Sequence, residues 1–159
     1  MTSSYKVRPI GYVRSSRTAP TDDDWDNVES AIELDEDQFD ADSLVSLDSF
    51  SHLDVIFLFH QVKTDTIHTG KRHPRGRKDW PEVGIFAQRV KNRPNRIGST
   101  TCRVLSVRGT RVEVRGLDAI DGSPVIDIKP VMKGFEPRGE IKEPDWACEI
   151  MSDYWKMRD

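Results

Sequence analysis

Two short segments concentrate the residue types that shape ligand sites. The first is Arg93-Pro94-Asn95-Arg96-Ile97-Gly98. The second is Leu117-Asp118-Ala119-Ile120-Asp121-Gly122-Ser123-Pro124-Val125-Ile126-Asp127-Ile128-Lys129-Pro130. Gly and Pro fix special backbone angles, while Asn and Asp offer short hydrogen-bonding groups. The Gly in Asp121-Gly122-Ser123-Pro124 lets backbone approach a ligand closely, although the same four residues also suit a plain β-turn. Arg89 and Arg93 carry the forked guanidinium that grips a carboxylate or phosphate through two parallel hydrogen bonds. Asn95 could bond an adenine edge or tie its own turn. Asp127 and Lys129 alternate with Val125 on one strand face, which predicts a polar pocket floor. The pair is a structural ion pair first, with Asp127 as a candidate base for an acceptor N–H. His60-Gln61 ends an apolar run, where an isolated His reads most simply as a strand-end cap. No Ser-His-Asp or Cys-His nucleophile arrangement and no metal-ligand spacing is apparent.

Short strands must position these residues. Residues 7–13 read as a first strand, with Pro9 hinting at an edge. Residues 28–34 alternate as a second, and 40–47 suit a short helix capped by Asp40 or Asp42. Residues 53–60 read as a strand buried on both faces. A long loop over 61–83 follows, then a strand over 84–90, with Phe86 and Ala87 as core or pocket wall. Residues 101–107 and 111–115 flank a hairpin turn, and 125–128 form a further strand. Trp146, Ile150, Met151, Tyr154 and Trp155 mark a short amphipathic helix over 144–156. Six or seven short strands favour a mostly β, single-domain, mainly antiparallel barrel with one or two short helices. The expected division is a barrel domain over 1–137 and an extension over 138–159 whose helix packs on the barrel or a dimer partner. No Gly-x-Gly-x-x-Gly follows a strand, which argues against a doubly wound nucleotide fold.

Composition narrows the class. The net charge of −3 hides a segregation: residues 18–62 hold no Lys or Arg, and 22–54 hold thirteen acids. Residues 63–96 hold ten basic residues against three acids, a local charge of +7 suited to phosphates. Both runs also suit ordinary solvated loops that complement each other. The two cysteines suggest no disulfide framework, and Cys102 reads as a small buried hydrophobe. No signal-peptide pattern or bilayer-spanning apolar run is present, so the expected location is the cytoplasm.

These motifs also carry a resemblance. Phe50-Ser51-His52-Leu53, the run 55–61, Gly84-Ile85-Phe86-Ala87-Gln88-Arg89, Arg93-Pro94-Asn95 and the stretch 121–130 resemble the TsaA/TrmO (YaeB-like) family. The resemblance runs from about residue 10 to residue 130, except for 17–49 and 62–83. It implies a small antiparallel β-barrel, homodimeric, that uses S-adenosylmethionine to methylate N6 of threonylcarbamoyladenosine beside the tRNA anticodon. It implies a cofactor site from His60, Gln61, Arg89, Leu117, Asp121, Gly122, Ser123 and Pro124. Arg93 and Lys129 would then face the tRNA, and Asp127 and Asn95 would be the candidate catalytic groups. Transfer from a sulfonium needs orientation and exclusion of water rather than a protein nucleophile. The chain departs from the family pattern after the first strand, where a Pro-Arg-Gln segment is replaced by the acidic Asp22-Asp23-Asp24-Trp25-Asp26. It also departs at Arg96, where the family commonly has Pro, and at Asn92 and Val131. The rival readings are methylation of a small molecule or protein, a non-catalytic S-adenosylmethionine-binding module, and an RNA-binding barrel without a cofactor.

Overall fold

The computed structural model describes residues 2–156. Six strands close into an antiparallel barrel: β1 (Gly11–Ser15), β2 (Glu29–Leu34), β3 (His52–Leu58), β6 (Ile97–Arg108), β7 (Arg111–Arg115) and β8 (Pro124–Pro130). Their order around the barrel is β1-β2-β7-β6-β3-β8, with β8 returning to β1. Two further strands, β4 (Lys71–Arg72) and β5 (Val83–Gly84), form a separate small ladder. The single α-helix among the described residues is α1, Asp145–Met151.

Alternation builds the core. Val13, Ile32, Leu53, Val55, Phe57, Cys102, Val112, Val114 and Val125 point inward and are almost fully buried. Burial holds the Cys102 thiol protonated, its pKa pushed up to about 12. Gly98 is required by this packing: a Cβ there would lie 2.6 Å from the Phe57 ring and 2.8 Å from Phe59. The two rings meet edge to face, 5.3 Å between centroids.

The barrel shape corrects four expectations. β3 is buried on one face only, because a barrel wall has an inside and an outside; Asp54, Ile56 and Leu58 face outward. The first strand begins at Gly11 and not at residue 7. The strand expected over 84–90 is a two-residue ladder followed by a 3-10 turn, Ile85–Ala87. The buried Gln88 side chain ends it by donating to the carbonyls of Arg72 and Val83. Phe86 therefore points to solvent, 75% exposed, and Ala87 is exposed beside it. The helix expected over 40–47 is a 3-10 turn, Ala41–Leu44, capped by Asp40 as foreseen.

Antiparallel closure sorts the connections by end. The tight 109–110 turn and the 35–51 segment lie at one end. The other end gathers the loops 16–28, 59–96 and 116–123.

Candidate functional site

Residues distant in sequence meet at the long-loop end. β3 runs out at Leu58 and delivers His60 to the turn that opens β8. The His60 Nε2 lies 3.8 Å from where a Cβ on Gly122 would sit, so bare backbone faces the imidazole. Gly122 needs its φ of 76°, which a side chain would strain. The turn is pinned from β1: Ser15 N–H donates to Asp121 Oδ1 at 3.0 Å, and Gly122 N–H donates to the Val13 carbonyl at 2.8 Å. The His60 Nδ1 is buried with no hydrogen-bond partner. Buried polar atoms are rarely left so, and a ligand group would satisfy this one. Gln61 is exposed beside it, while Ser123 is buried in the turn and Pro124 half-buried. Leu117 is fully buried in the core, backbone included, so it packs behind the site and does not face it.

Arg89 stands at the same end. Its Nη2 donates to the Ser99 carbonyl at 2.5 Å and to Ser99 Oγ at 3.2 Å, which leaves the rest of the fork open. Arg93 and Arg96 are used differently. Arg93 Nη1 donates to the Gln88 carbonyl at 2.7 Å, and Arg96 Nη1 to the Val62 carbonyl at 2.8 Å. Asn95 and Arg96 follow each other at positive φ, 62° and 52°. Asn tolerates that conformation, and the exposed Asn95 side chain makes no hydrogen bond in the turn. Arg96 at φ of 52° holds a conformation closed to proline.

The acidic segment at 22–26 packs beside cations. Arg75 holds Asp23 with both nitrogens of its fork, at 2.8 and 3.3 Å. Arg17 stacks over Trp25 at 4.4 Å and donates to the carbonyls of Asp23 and Asp24. The Arg17 carbonyl in turn accepts from Asp121 N–H at 2.7 Å. Arg17 carried no signal in the sequence, because its partners are scattered from Ser15 to Trp25 with no recognisable spacing, or lie beyond position 100.

The C-terminal segment closes over this end. Trp25 N–H donates to the Tyr154 carbonyl at 2.9 Å, and Trp80 Nε1 donates to Glu149 at 2.6 Å. The Tyr154 hydroxyl donates to Asp118, whose other oxygen accepts from Thr100. Burial and the Asp118 carboxylate raise the Tyr154 pKa well above its ordinary value, against the opposing pull of Arg89. Asp118, Thr100 and Tyr154 carried no short-range signal as a cluster.

Asp127 and Lys129 are not brought into this group. They form an ion pair at 2.6 Å, with Lys129 66% and Asp127 44% exposed. The expected face is corrected by a bulge. Ile56 pairs with Asp127 but Phe57 pairs with Val125, so the extra residue reverses the alternation. Val125 points into the core while Asp127 and Lys129 lie on the outer wall, not on a pocket floor. Asp127 is opposite Ile56, roughly 13 Å down β3 from His60 at the usual rise per residue.

Of the ten basic residues between 63 and 96, Lys71, Arg75 and Arg77 have acidic partners. Among the described residues the other seven make no ion pair, so the 63–96 loop carries unpaired cations. No group of three or more His, Cys, Asp or Glu among the described residues could hold a metal ion. No helix there is long and apolar enough to cross a membrane.

Residues 12–136 match the family described as the tRNA-methyltransferase O N-terminal domain. The chain is 35% identical over 138 residues to a probable S-adenosyl-L-methionine-binding protein of Methanothermobacter thermautotrophicus, covering 84% of this chain and 95% of that one. It is 36% identical over 116 residues to the tRNA (adenine(37)-N6)-methyltransferase of Mus musculus, covering 73% of this chain but 25% of that one. The crystal structure of TrmO from Pseudomonas aeruginosa superposes with a TM-score of 0.70 at 27% identity, over 88% of this chain and 62% of that one. The chain thus spans nearly all of the first relative, a quarter of the mouse enzyme and under two thirds of the solved structure.

Proposed function

Since this chain belongs to the tRNA-methyltransferase O N-terminal domain family, we propose that it is an S-adenosylmethionine-dependent methyltransferase acting on N6 of an adenosine in tRNA. The acceptor in this reading is threonylcarbamoyladenosine beside the anticodon. One observation carries the reading. His60, with its buried and unpartnered Nδ1, faces the open backbone of Gly122 at the barrel end that also holds Arg89. A cofactor with a carboxylate, hydroxyls and an adenine fits that set. Bound there, the sulfonium supplies an already activated methyl group.

The chain's own residues bind and orient. The free edge of Arg89 takes the cofactor's carboxylate. His60 and Gln61 meet its polar groups, and the 121–124 turn lies against the nucleoside, with Leu117 packed behind it. Asn95 reaches the acceptor adenine, and Arg93 with the unpaired basic residues of 63–96 takes tRNA phosphates. Arg75 neutralises Asp23 and Arg17 anchors the 23–24 backbone, which reduces that segment's repulsion of tRNA.

The reading includes a homodimer. Leu58 and Ile97 pair on the outer wall, with Ile97 43% exposed, and Ile56 lies next along the same face. A second copy would cover this apolar strip and would bring Asp127 and Lys129 into an interface. Only there would Asp127 serve an acceptor N–H and Lys129 a phosphate. In this reading residues 1–137 are the barrel domain and 138–159 an extension docked on its long-loop end; residues 157–159 lie outside the described residues. In this reading the protein works in the cytoplasm.

The test is methyl transfer to tRNA from cells lacking their own enzyme of this type, with the digested nucleosides read by mass spectrometry. One added methyl on threonylcarbamoyladenosine is the expected result. Cofactor binding without any transfer to tRNA would favour a small-molecule or protein acceptor, or a binding module.

A further inference from the structure

The 63–96 segment carries two large aromatic rings, Trp80 and Phe86, and the fold treats them oppositely. Trp80 is 5% exposed, with Arg77 over its ring at 3.9 Å. Phe86 is 75% exposed and has no place in the site described above. Its exposure is fixed from both sides. Ile85 before it is buried, and its N–H donates to the Gly70 carbonyl at 2.9 Å. Gln88 beyond it is buried, and its side chain donates to the carbonyls of Arg72 and Val83 at 3.1 and 2.8 Å. A pinned turn thus presents the ring to solvent. Single exposed apolar residues are ordinary on a protein surface, so the surroundings must decide what this one means. Three arginines are tied to the same turn. Arg93 Nη1 donates to the Gln88 carbonyl at 2.7 Å, the Arg72 backbone accepts from the Gln88 amide, and Arg89 follows Gln88 directly. Among the described residues none of the three makes an ion pair. An aromatic face beside unpaired cations is the combination that binds single-stranded nucleic acid: the cations take phosphates, and an unstacked base lies on the ring. A closed duplex offers no base face to such a ring, whereas an anticodon loop does. A second copy of this chain suits the turn less well, because a two-fold contact there would set like charges against each other.

We propose that Phe86 is a substrate-binding residue whose ring stacks on an unpaired base of the tRNA anticodon loop, while Arg93 and Arg72 take neighbouring phosphates. This rests on the tRNA reading given above. Stacking supplies affinity that does not depend on salt, and the arginines supply the part that does. Arg89, three residues after Phe86, belongs to the cofactor end, so the stacked base is one close to the acceptor adenosine.

Fluorescence-anisotropy titration with a labelled anticodon stem-loop RNA bearing threonylcarbamoyladenosine tests this. Binding by the unaltered protein is checked first, and its failure would remove the tRNA reading and this proposal together. Given that binding, Phe86→Leu, which keeps an apolar side chain but no ring, is expected to weaken the RNA about tenfold. That is about 1.4 kcal/mol, within the range for one base on an aromatic side chain. Phe86→Tyr keeps the ring and should stay within about twofold. The salt dependence should be unchanged in Phe86→Leu, whereas Arg93→Ala should lower its logarithmic slope by about one. Stem-loops with a single abasic nucleotide then locate the partner. At one loop position the missing base should weaken the unaltered protein about tenfold and Phe86→Leu no further, because both changes remove the same contact. Phe86 is exposed, so the variants should fold, and equal thermal midpoints check this. Equal RNA binding by Phe86→Leu and the unaltered protein, as large a loss in Phe86→Tyr, or no such loop position would each overturn the proposal. So would weakened S-adenosylmethionine binding by Phe86→Leu, which would assign the ring to the cofactor. A change of sedimentation from dimer to monomer would likewise overturn it and assign the ring to a second copy.

Discussion

The two ends of this barrel are built from the same six strands but treat their polar groups in opposite ways. At the short-turn end, charges stay in water. Glu33 is bound by Arg14 and Arg111, which hold its carboxyl below the usual range, and Thr110 donates to Glu36. At the long-loop end, polar groups are drawn inward. Gln88 is buried, His60 keeps an unpartnered Nδ1, and Asp118 is shared by two hydroxyls. Backbone strain leans the same way: Asp24, Arg75, Asn95 and Arg96 take positive φ in the loops of that end, against Ser46 at the short-turn end. Exposed ion pairs contribute little to stability, so the short-turn end is a lid on the core. Buried, incompletely paired groups cost stability and persist where a ligand repays them.

Mutations should separate the ends. The largest effect lies between them: Phe57→Ala empties the shared core and is expected to cost about 3–5 kcal/mol. A chemical-denaturation midpoint reads this loss. A variant of near-normal stability would mean that the barrel is not one cooperative unit.

Arg89→Ala acts on one end alone. It should weaken S-adenosylmethionine by about 1.5–3 kcal/mol, the range for a charge-assisted hydrogen bond. The thermal midpoint should hardly move, because Arg89 is exposed and its side-chain hydrogen bonds among the described residues go to Ser99. Unchanged affinity in a calorimetric titration of the folded variant would remove Arg89 from the site.

Alkaline pH sharpens the contrast. Cys102 and Tyr154 both have folded-state pKa values raised by burial. Their neutral forms are therefore favoured by folding, and that stability is fully present below the ordinary thiol value of 9.0. It is lost as pH rises toward about 12 for Cys102. The expected loss is about 1 kcal/mol at pH 10 relative to pH 8, since each unit of uncompensated titration is worth about 1.4 kcal/mol. Stability flat over that span would mean that Cys102 titrates as though exposed. The smallest effect belongs to the short-turn end. Thr110→Ala removes only the bond to Glu36 and should change stability by under about 0.5 kcal/mol, with cofactor affinity unmoved. A measurable loss of affinity would erase the distinction between the ends.

What the sequence made legible follows from the range of the interactions. The barrel, the hairpin around 109–110 and the second and last strands were readable from alternation, which is a local property. The meeting of His60 with the 121–124 turn was readable only through family resemblance, because those residues are sixty positions apart. The reversed face of Asp127 was hidden by a bulge between Ile56 and Phe57 pairings, which no alternation pattern announces. Tyr154 read as apolar packing from its helix spacing, and its hydroxyl found Asp118 only through the fold.

The most direct measurement is the mapping of amide chemical shifts on the 18.2 kDa protein as S-adenosylmethionine is added. The expected shifts cluster at His60, Gln61, Arg89, Leu117 and residues 121–124, with Glu36, Thr110 and Arg111 unmoved. Shifts confined to the short-turn end, or none at saturating cofactor, would contradict the assignment of the long-loop end as the cofactor site.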